Sequence, residues 1–416
     1  MTSTVAVRMY NVGFGDAFVV TVDHGGQVWR MLVDCGVHSQ GRARPIEEAV
    51  DAIIADLTTA SRDGQPHLDV VVATHHHADH ILGFAEEAWS RVVVDEVWVP
   101  FVEDATDEDA RKLREGQHAA AARITALVEG RRPASGRLPT ALRVAQLLAA
   151  NSSGNATATD RLLGRNGRGF RGPHRVRYVP STHPAENTVA TAHPAVIAHV
   201  LGPSRDPATL KRMDPPASAR WLSLDDPALD AVPAAGRPLL FNDVYAVTDP
   251  ATLDAALVAA TAQLDLDDLA DDESLLAAAS ILENAVNNTS VFFVLDVEGT
   301  GLLFPGDAQQ GAWDHVLDDP AARALVAGVA FVKIAHHGSG NATPRRFVES
   351  VLPDGRFAML PWGLVKRWQD SIPQQRLMAA LEAHRHTVVH ADSPQPVAGR
   401  VTVHDDLWSE MVFDLA

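Results

Sequence analysis

The sequence predicts an α/β protein in which two sheets pack face to face between outer helices. Three observations support this prediction. Short strand-like runs alternate with amphipathic helices in the first hundred residues, the same rhythm returns from Ser290, and the residues between these two halves differ in composition. Two α/β halves separated by insertions are typical of a sandwich with helices on both outer faces.

In the first half, strands are predicted where β-branched and other apolar residues cluster. These runs are Val5–Met9, Ala17–Val22, Trp29–Asp34 and Val70–Ala73. The last run is apolar throughout, as expected of a strand that is buried on both faces. Apolar residues at helical intervals predict a helix over 45–58, and a short helix is predicted over Ile81–Trp89, where Gly83 weakens the first turn.

The middle of the chain predicts insertions. Two alanine-rich helices are expected over Asp107–Gly130 and Thr140–Asn151. A Gly/Arg-rich segment over 161–177 follows them, and it would be either a solvated loop or a phosphate-binding surface. Residues 205–284 are first proline-rich and then acidic, which indicates a second insertion.

Strands of the core continue on both sides of the second insertion. They are predicted at Val176–Val179, Ala195–Leu201, Val291–Leu295, Gly301–Phe304, Phe331–Ile334, Phe357–Leu360 and Thr387–His390. The expected organisation is a first half of the core over 1–104, a helical and Gly/Arg-rich insertion over 105–175, core strands over 176–204, a proline-rich and acidic insertion over 205–284, and the second half of the core over 285–416.

The composition excludes some classes of protein. A chain of 416 residues with a formal net charge of -18 is too acidic to coat nucleic acid indiscriminately, because neutralising phosphates requires Lys and Arg. The single cysteine, Cys35, rules out an intramolecular disulfide framework and favours a reducing compartment. No apolar stretch reaches the roughly 18 to 20 residues of a bilayer span, and no signal-peptide pattern opens the chain. A cytoplasmic protein without membrane association is expected.

One run of residues combines metal-binding side chains at the end of a predicted strand. His75, His77, Asp79 and His80 lie between the buried strand and a helix, where α/β proteins bind their ligands. Imidazole and carboxylate groups suit Zn²⁺ and Mn²⁺. Because residues i and i+2 of an extended turn can point the same way, His75 and His77 can hold one ion, while Asp79 and His80 face a second. The alternative is a histidine-rich surface turn, but four such donors in six residues favour a site for one or two Zn²⁺ or Mn²⁺ ions.

The spacing His-x-His-x-Asp-His resembles the signature of the metallo-β-lactamase superfamily. Two shorter elements follow in the order expected of that family. Asp34 resembles its strand-end aspartate, which orients the metal loop, and Asp307 in the sequence Pro-Gly-Asp resembles the aspartate that bridges two metals. The resemblance implies an αββα sandwich, here with helical and irregular insertions, and the activity of a metal-dependent hydrolase.

A narrower resemblance is to the metallo-β-lactamase domain of ComEC-type competence proteins and their soluble relatives. Three motifs carry it, namely NVGFGDA over 11–17, NNTS over 287–290 and KIAHHGS over 333–339. They occur in both halves of the α/β core but not in the insertions. This resemblance implies hydrolysis of phosphodiesters or related phosphate esters.

Two positions depart from the superfamily pattern. Asn288 falls near the place of the usual third histidine on the first metal, a feature that ComEC-type domains share. Their late Gly-His-Pro corresponds to Ser371-Ile372-Pro373 here, which has no histidine. A ligand of the second metal is therefore missing, or His336 or His337 replaces it.

The resemblance and the motif together assign roles to particular residues. The residues expected to hold metal are His75, His77, Asp79, His80, Asp307 and His336. Asp79, His336 and His337 are expected to take part in catalysis, and which of the two histidines binds metal stays open. Asp16, Asp34 and Asn288 are expected to orient these groups from behind them. Lys333 is interpreted as a structural lysine, and Cys35 as a small buried residue.

The expected function is that of a phosphodiesterase or nuclease that uses a metal-activated hydroxide. The substrate would be nucleic acid or a small nucleotide: the net acidity favours a small substrate, whereas the arginines of 161–177 favour a polynucleotide. One alternative is hydrolysis of a carboxyl ester, thioester or lactone by the same fold. Another is a degenerate protein that binds metal without turnover, which the absent Gly-His-Pro histidine motivates. The sequence does not indicate a protein partner.

Overall fold

The computed structural model describes residues 3–61, 63–133, 137–152, 154–216, 219–221, 272–366 and 368–415. The strands in these ranges are β1 Thr4–Tyr10, β2 Ala17–His24, β3 Gln27–Cys35, β4 His67–Val72, β5 Val93–Pro100, β6 Arg175–Val179, β7 Thr188–Ala190, β8 Val196–Gly202, β9 Phe292–Val297, β10 Thr300–Phe304, β11 Val329–Lys333, β12 Phe357–Leu360, β13 Thr387–His390, β14 Val401–His404 and β15 Trp408–Asp414.

The α-helices of the same ranges are α1 Ile46–Thr59, α2 Ala78–Ile81, α3 Glu108–Gly130, α4 Thr140–Ser152, α5 Ala156–Leu162, α6 Pro207–Leu210, α7 Asp272–Asn287, α8 Gln310–Asp318, α9 Pro320–Ala327, α10 Arg345–Ser350 and α11 Gln375–Ala383. Short 3-10 helices lie at Leu82–Ala85, Glu87–Arg91, Phe101–Glu103, Pro184–Asn187 and Ala335–Gly338.

The described strands form two sheets of similar design. The first has the strand order β14-β15-β1-β2-β3-β4-β5-β6, and the second has the order β13-β12-β11-β10-β9-β8-β7. In each sheet the strands on one side pair antiparallel and those on the other side pair parallel; the parallel pairs run from β3 to β6 and from β10 to β13. Parallel neighbours end at the same edge of a sheet, so the residues after β3 and β4 come together, as do those after β10 and β11.

An apolar core fills the space between the two sheets. Both sheets contribute large buried side chains to it, including Trp98, Phe293, Phe304 and Met359. The ring of Phe304 stacks on that of Phe293, with 5.3 Å between the ring centroids. Successive side chains on a strand point to opposite faces of the sheet. The apolar side chains on one face of each sheet therefore pack against those of the other sheet.

Helices cover the outer face of each sheet. On the first sheet α1 buries Ile46, Val50 and Ile53, so the helix predicted over 45–58 is confirmed. On the second sheet the helices from α8 to α11 bury a separate apolar cluster that includes Trp313 and Leu377. The chain therefore has the helix–sheet–sheet–helix sandwich that the sequence predicted.

A helical body stands outside the sandwich. Both alanine-rich helices are confirmed to within one residue, and Asp107 caps α3 by accepting a hydrogen bond from the backbone N–H of Ala110. The helices α3, α4 and α7 pack around their own apolar cluster. The helix α7 begins within the predicted insertion 205–284 and extends past its end to Asn287, and residues 217, 218 and 222–271 of that insertion lie outside the described residues.

The short helix predicted over Ile81–Trp89 is wrong in its bounds and its type. The α-helix α2 begins at Ala78, directly after His77, and two 3-10 helices follow it. The chain packs tightly here, because a Cβ at Gly83 would lie 2.6 Å from Cys35 Sγ. The strands β5, β7, β14 and β15, and the helices from α5 onward, were not predicted from the sequence. None of the helices in the described ranges combines the length and apolar character that a membrane crossing requires.

Candidate metal centre

The strand-end aspartate Asp34 holds the histidine loop Thr74–His80 in place. Asp34 is buried at the end of β3 with a positive φ of 58°, a conformation that turns its carboxylate toward the neighbouring strand end. Its Oδ1 accepts a hydrogen bond from the Thr74 backbone N–H and its Oδ2 one from Thr74 Oγ1, both at 2.7 Å. The same Oδ2 lies 2.8 Å from His80 Nδ1. Because His80 Nδ1 faces Asp34, the other ring nitrogen, Nε2, faces the centre of the site.

Four buried side chains from both halves of the chain converge beside this loop. Asp79, His80, Asp307 and His337 each place one nitrogen or oxygen atom so that all four atoms lie within 4.8 Å of one another. His80 Nε2 is 3.0 Å from Asp307 Oδ2, and His337 Nε2 is 3.4 Å from Asp79 Oδ2. Residues more than 200 positions apart in the sequence thus share one small volume.

His75 and His77 form a pair next to this group. His75 Nε2 and His77 Nδ1 lie 3.0 Å apart, and His75 Nδ1 lies 3.2 Å from Ser290 Oγ. Burial is the main cause that lowers the pKa of both imidazoles, well below the ordinary value for His75 and to about 3 for His77. Both side chains are therefore neutral at pH 7, the form in which imidazole binds a metal ion.

The buried polar atoms of these residues fit a cation. His77 Nε2 and Asp79 Oδ1 are buried without a hydrogen-bond partner among the described residues, and the buried His80 Nε2 and His337 Nε2 lie next to carboxylate oxygens of the group itself. Such atoms are costly in a folded protein unless a ligand satisfies them. The donor set of imidazole nitrogens and carboxylate oxygens suits a divalent transition metal ion. The residues present therefore fit a bound divalent metal.

The charges of the group have the sign that a cation needs. Burial favours the neutral form of Asp79 and Asp307, but the nearby basic side chains outweigh it and hold the pKa of both carboxyls well below the usual range. Burial likewise opposes a charge on His80, yet the surrounding carboxylates raise its pKa well above the ordinary value. The same negative potential that attracts a proton to His80 would attract a metal ion.

Lys333 supplies a permanent positive charge behind the site. The lysine is buried at the end of β11, and its Nζ lies 2.6 Å from Asp16 Oδ2 and 3.1 Å from Asp307 Oδ1. It also donates a hydrogen bond to the carbonyl oxygen of Gly306 at 3.0 Å. Burial opposes the charge of Lys333, but the two carboxylates raise its pKa. Asp307 thus turns one oxygen to the lysine and the other toward His80.

The backbone separates the roles of His336 and His337. Both residues have positive φ, 46° and 52°, which points their rings in different directions. His337 is fully buried, with its Nδ1 2.7 Å from the carbonyl oxygen of Pro361 and its ring 4.0 Å from that of Phe14. His336 keeps a partly exposed side chain, 19% accessible, and its Nε2 is 4.0 Å from Asp307 Oδ2. The structure places His337, and not His336, within the four-residue group.

Asn288 is oriented away from the candidate ligands. Its side-chain amide donates to the carbonyl oxygens of Leu210 and Arg212, and its Oδ1 accepts from the backbone N–H of Gln309. Asn288 therefore fixes the chain behind the site and contacts none of the predicted ligands through these bonds. Its neighbour Asn287 points to the site instead, with Nδ2 3.4 Å from His336 Nε2.

The late segment that lacks a histidine is apolar. Ile372 packs with Phe14 and Val365 in a small buried cluster beside His337. Pro373 lies against Gly338, where an added Cβ would come within 2.8 Å of the proline ring. This segment supports the His337 ring by packing and offers it no ligand of its own.

His76 has a different role from the other histidines of the loop. Its Nδ1 lies 3.0 Å from Glu103 Oε1 and its Nε2 3.2 Å from the carbonyl oxygen of Ser152. Burial works against a charge on this ring, but Glu103 outweighs it and the pKa of His76 is raised. These contacts of His76 were not predicted, because no local pattern in the sequence distinguishes it from His75 and His77. The contacts of Asn287 and Ser290 were not predicted either, although both residues lie in the motif NNTS over 287–290.

Three arginines of 161–177 have protein partners in the structure. Arg161 is buried and donates to the carbonyl oxygens of Phe84 and Gly169 and to Glu87. Arg175 and Arg177 both pair with Glu96 on the adjacent strand. The cluster therefore includes several structural arginines.

The backbone of Gly36 lies very close to the backbone of the histidine loop. A substitution at Gly36 therefore tests how tightly the loop is held. A Cβ at this residue would lie 2.4 Å from the Ala78 carbonyl oxygen and 2.5 Å from the His80 nitrogen. We expect Gly36→Ala to lower the free energy of unfolding by about 1–3 kcal/mol, as overpacking does, and to weaken metal binding. Thermal unfolding with a chelator, and then with Zn²⁺, measures both effects.

The matched control for Gly36→Ala is Gly116→Ala. Gly116 lies within α3, and an added Cβ meets no atom within 4 Å. We expect this control to be neutral or to stabilise by up to about 1 kcal/mol, because alanine has the higher helix propensity. Equal unfolding temperatures for the two variants would contradict the tight packing between Gly36 and the loop.

Comparison with known families agrees with the class of protein that the fold and the site define. The fold is an α/β sandwich of the metallo-β-lactamase type with a buried group of imidazoles and carboxylates. The family model described as Metallo-beta-lactamase superfamily matches residues 10–115, which include Asp34 and the histidine loop. No curated protein matches the chain at a significant level. The superfamily match and the buried group together indicate a metal-dependent hydrolase.

Proposed function

We propose that this protein is a metal-dependent phosphodiesterase that binds one or two Zn²⁺ or Mn²⁺ ions. The observation that carries the proposal is the convergence of Asp79, His80, Asp307 and His337, which bring four buried nitrogen and oxygen atoms within 4.8 Å of one another. His75 and His77 would hold a further ion beside them. The ComEC-type motifs over 11–17, 287–290 and 333–339 support a phosphodiester as the substrate.

The chemistry of the proposed reaction divides between the cation and the protein. A divalent ion bound here would activate a water molecule and stabilise negative charge on the reacting centre. Asp79 and Asp307 would neutralise the charge of the ion, and Asp34 would hold His80 in the orientation that exposes Nε2. Lys333 would keep Asp307 in place through its outer oxygen.

His336 lies beside the four-residue group and is the side chain best placed to contact a substrate. It is the more exposed of the two adjacent histidines, and its Nδ1 has no hydrogen-bond partner among the described residues. Burial is the main cause that lowers its pKa, so the ring is neutral at pH 7 and able to donate one hydrogen bond. We assign His336 the role of contacting the phosphoryl oxygens or the leaving group.

Cys35, the net charge and the contacts of the arginines bear on the compartment and on the kind of phosphodiester. Cys35 is buried and free, which suits the reducing cytoplasm predicted from the sequence. The net charge of -18 favours a small nucleotide over a long polyanion. The pairing of several arginines within 161–177 removes one argument for a polynucleotide substrate.

A metal and substrate panel tests the proposed function on the unmodified protein. We expect elemental analysis to find one to two equivalents of transition metal, and we expect Mn²⁺ or Zn²⁺ to stimulate cleavage of bis-p-nitrophenyl phosphate. Chelation should abolish the cleavage and added metal should restore it. The same panel should include single-stranded DNA, RNA, cyclic nucleotides, a thioester and a lactone.

Each rival function gives a different result in this panel. Cleavage of the thioester or lactone alone would contradict a phosphodiesterase and favour attack on a carbonyl group. Bound metal without hydrolysis of any substrate would favour a degenerate binding protein. Protein that retains no metal would refute the proposed centre itself.

A further inference from the structure

Residues at the end of α4 and at the start of α5 contact the backbone of the histidine loop. Asn151 Oδ1 accepts a hydrogen bond from the Ala78 backbone N–H at 2.9 Å. Asn155 Nδ2 donates to the His76 carbonyl oxygen at 2.8 Å. Both asparagines are partly buried, and they lie more than 70 positions from the loop in the sequence.

These two bonds fix the peptide groups on either side of His77. The N–H of Ala78 belongs to the peptide that joins His77 to Ala78, and the carbonyl oxygen of His76 belongs to the peptide that joins His76 to His77. Rotation of either peptide would turn the His77 ring away from His75, which it meets at 3.0 Å. The two asparagines therefore restrain the loop at His77, which lies between the candidate ligands His75 and Asp79.

The ring of His76 adds a third connection between the same parts. It lies between Glu103, at the end of the first sheet's β5, and the carbonyl oxygen of Ser152, at the end of α4. The helix α4 is itself held by the apolar cluster that it shares with α3 and α7. The helical body thus restrains the loop through Asn151 and Ser152, in addition to the bonds that Asp34 makes to the loop from the first sheet.

We propose that Asn151, at the end of α4, and Asn155, at the start of α5, are positioning residues that set the geometry, and hence the metal affinity, of the histidine loop. This inference rests on the proposed function for the presence of a metal. The hydrogen bonds themselves need no metal, so their effect on the loop can be measured separately. Groups behind metal ligands commonly change metal affinity by about 10- to 100-fold when they are replaced.

A pair of isosteric substitutions tests the proposal, because the two asparagines use opposite ends of the amide. Asn151→Asp retains the acceptor oxygen for the Ala78 N–H, so we expect Zn²⁺ affinity equal to the wild type or tighter. Asn155→Asp removes the donor and places a carboxylate against the His76 carbonyl oxygen, so we expect affinity to fall about ten-fold, as the loss of one hydrogen bond implies. The two variants change the net charge by the same amount.

Titration calorimetry with Zn²⁺ alone measures the affinities, and thermal unfolding confirms that both variants fold. Amide hydrogen exchange of the metal-free protein provides a second readout. We expect exchange of the Ala78 N–H to accelerate about ten-fold in Asn151→Ala and to stay near the wild-type rate in Asn151→Asp.

The outcomes separate this inference from the proposed function. Equal Zn²⁺ affinities for Asn151→Asp and Asn155→Asp, or an Ala78 N–H that exchanges equally in Asn151→Ala and the wild type, would overturn the positioning role. Failure of the wild type to bind Zn²⁺ would instead refute the metal centre, and with it the effect on affinity. Metal binding with the expected order of variants, but without hydrolysis, would support the positioning role and contradict the phosphodiesterase.

Discussion

Replacing Asp307 by asparagine is expected to lower phosphodiester hydrolysis about a thousand-fold and to remove most of the bound metal. The electrostatic contribution of a single active-site group is commonly of this size. Asp307 Oδ2 lies 3.0 Å from His80 Nε2, at the point where the candidate ligands converge, while Oδ1 is held by Lys333. Asparagine has the same size but no charge, so it cannot balance a divalent ion. Turnover at saturating Mn²⁺ and elemental analysis after gel filtration measure the two effects.

The matched control is Asp296→Asn, which makes the same chemical change in the same β-hairpin. Asp296 lies opposite Gly301, near the start of β10, whereas Asp307 follows the end of β10. Its carboxylate only accepts a hydrogen bond from the Gly299 N–H in the turn. We expect unchanged metal content and turnover for this control. An Asp307→Asn protein that kept its metal and its activity would show that this aspartate is not part of the centre.

The sequence predicted those parts of the centre that a local pattern specifies. The run from His75 to His80 could be placed at a strand end because an apolar strand precedes it, and β4 does end at Val72. The helices α1, α3 and α4 could be predicted because their apolar residues recur at helical spacing. These elements depend mainly on residues that are neighbours in the chain.

The direction of an individual side chain could not be predicted in the same way. His76 has the same chemistry as His75 and His77, yet it turns toward Glu103 and Ser152, which lie far away in the sequence. His337 enters the four-residue group instead of His336 because two successive residues have positive φ, a strained conformation that no composition pattern indicates. The strand β15 was missed because its pairing with β1 is a long-range contact, and β14 joins the sheet only through β15.

The charge balance of the site is a second feature that only the structure reveals. Asp16, Asp34, Asp79 and Asp307 are all buried around the same point, and such a concentration of carboxylates is unstable unless cations compensate it. Lys333 is the one fixed cation that touches two of them among the described contacts. Lys333 therefore compensates part of this negative charge, and the remaining negative charge can attract a metal ion.

Removing this lysine should destabilise the protein strongly. We expect Lys333→Met to lower the free energy of unfolding of the metal-free protein by about 3–5 kcal/mol, the usual effect of breaking a buried ion pair from one side. Methionine fills a similar volume, so the loss reflects charge and not a cavity. Thermal or urea unfolding in the presence of a chelator measures it. Added Zn²⁺ should stabilise the variant more than the wild type, because the ion compensates the negative charge of carboxylates that Lys333 no longer neutralises.

A double variant distinguishes loss of charge balance from simple loss of packing. Asp16 contacts Lys333 at 2.6 Å and lies outside the four-residue group, so Asp16→Asn removes one of the uncompensated charges without removing a proposed ligand. We expect Lys333→Met combined with Asp16→Asn to unfold at a higher temperature than Lys333→Met alone, with a coupling of about 1–3 kcal/mol between the two positions. Additive effects of the two substitutions would mean that Lys333 stabilises the site by packing, and the electrostatic account of this buried network would then be wrong.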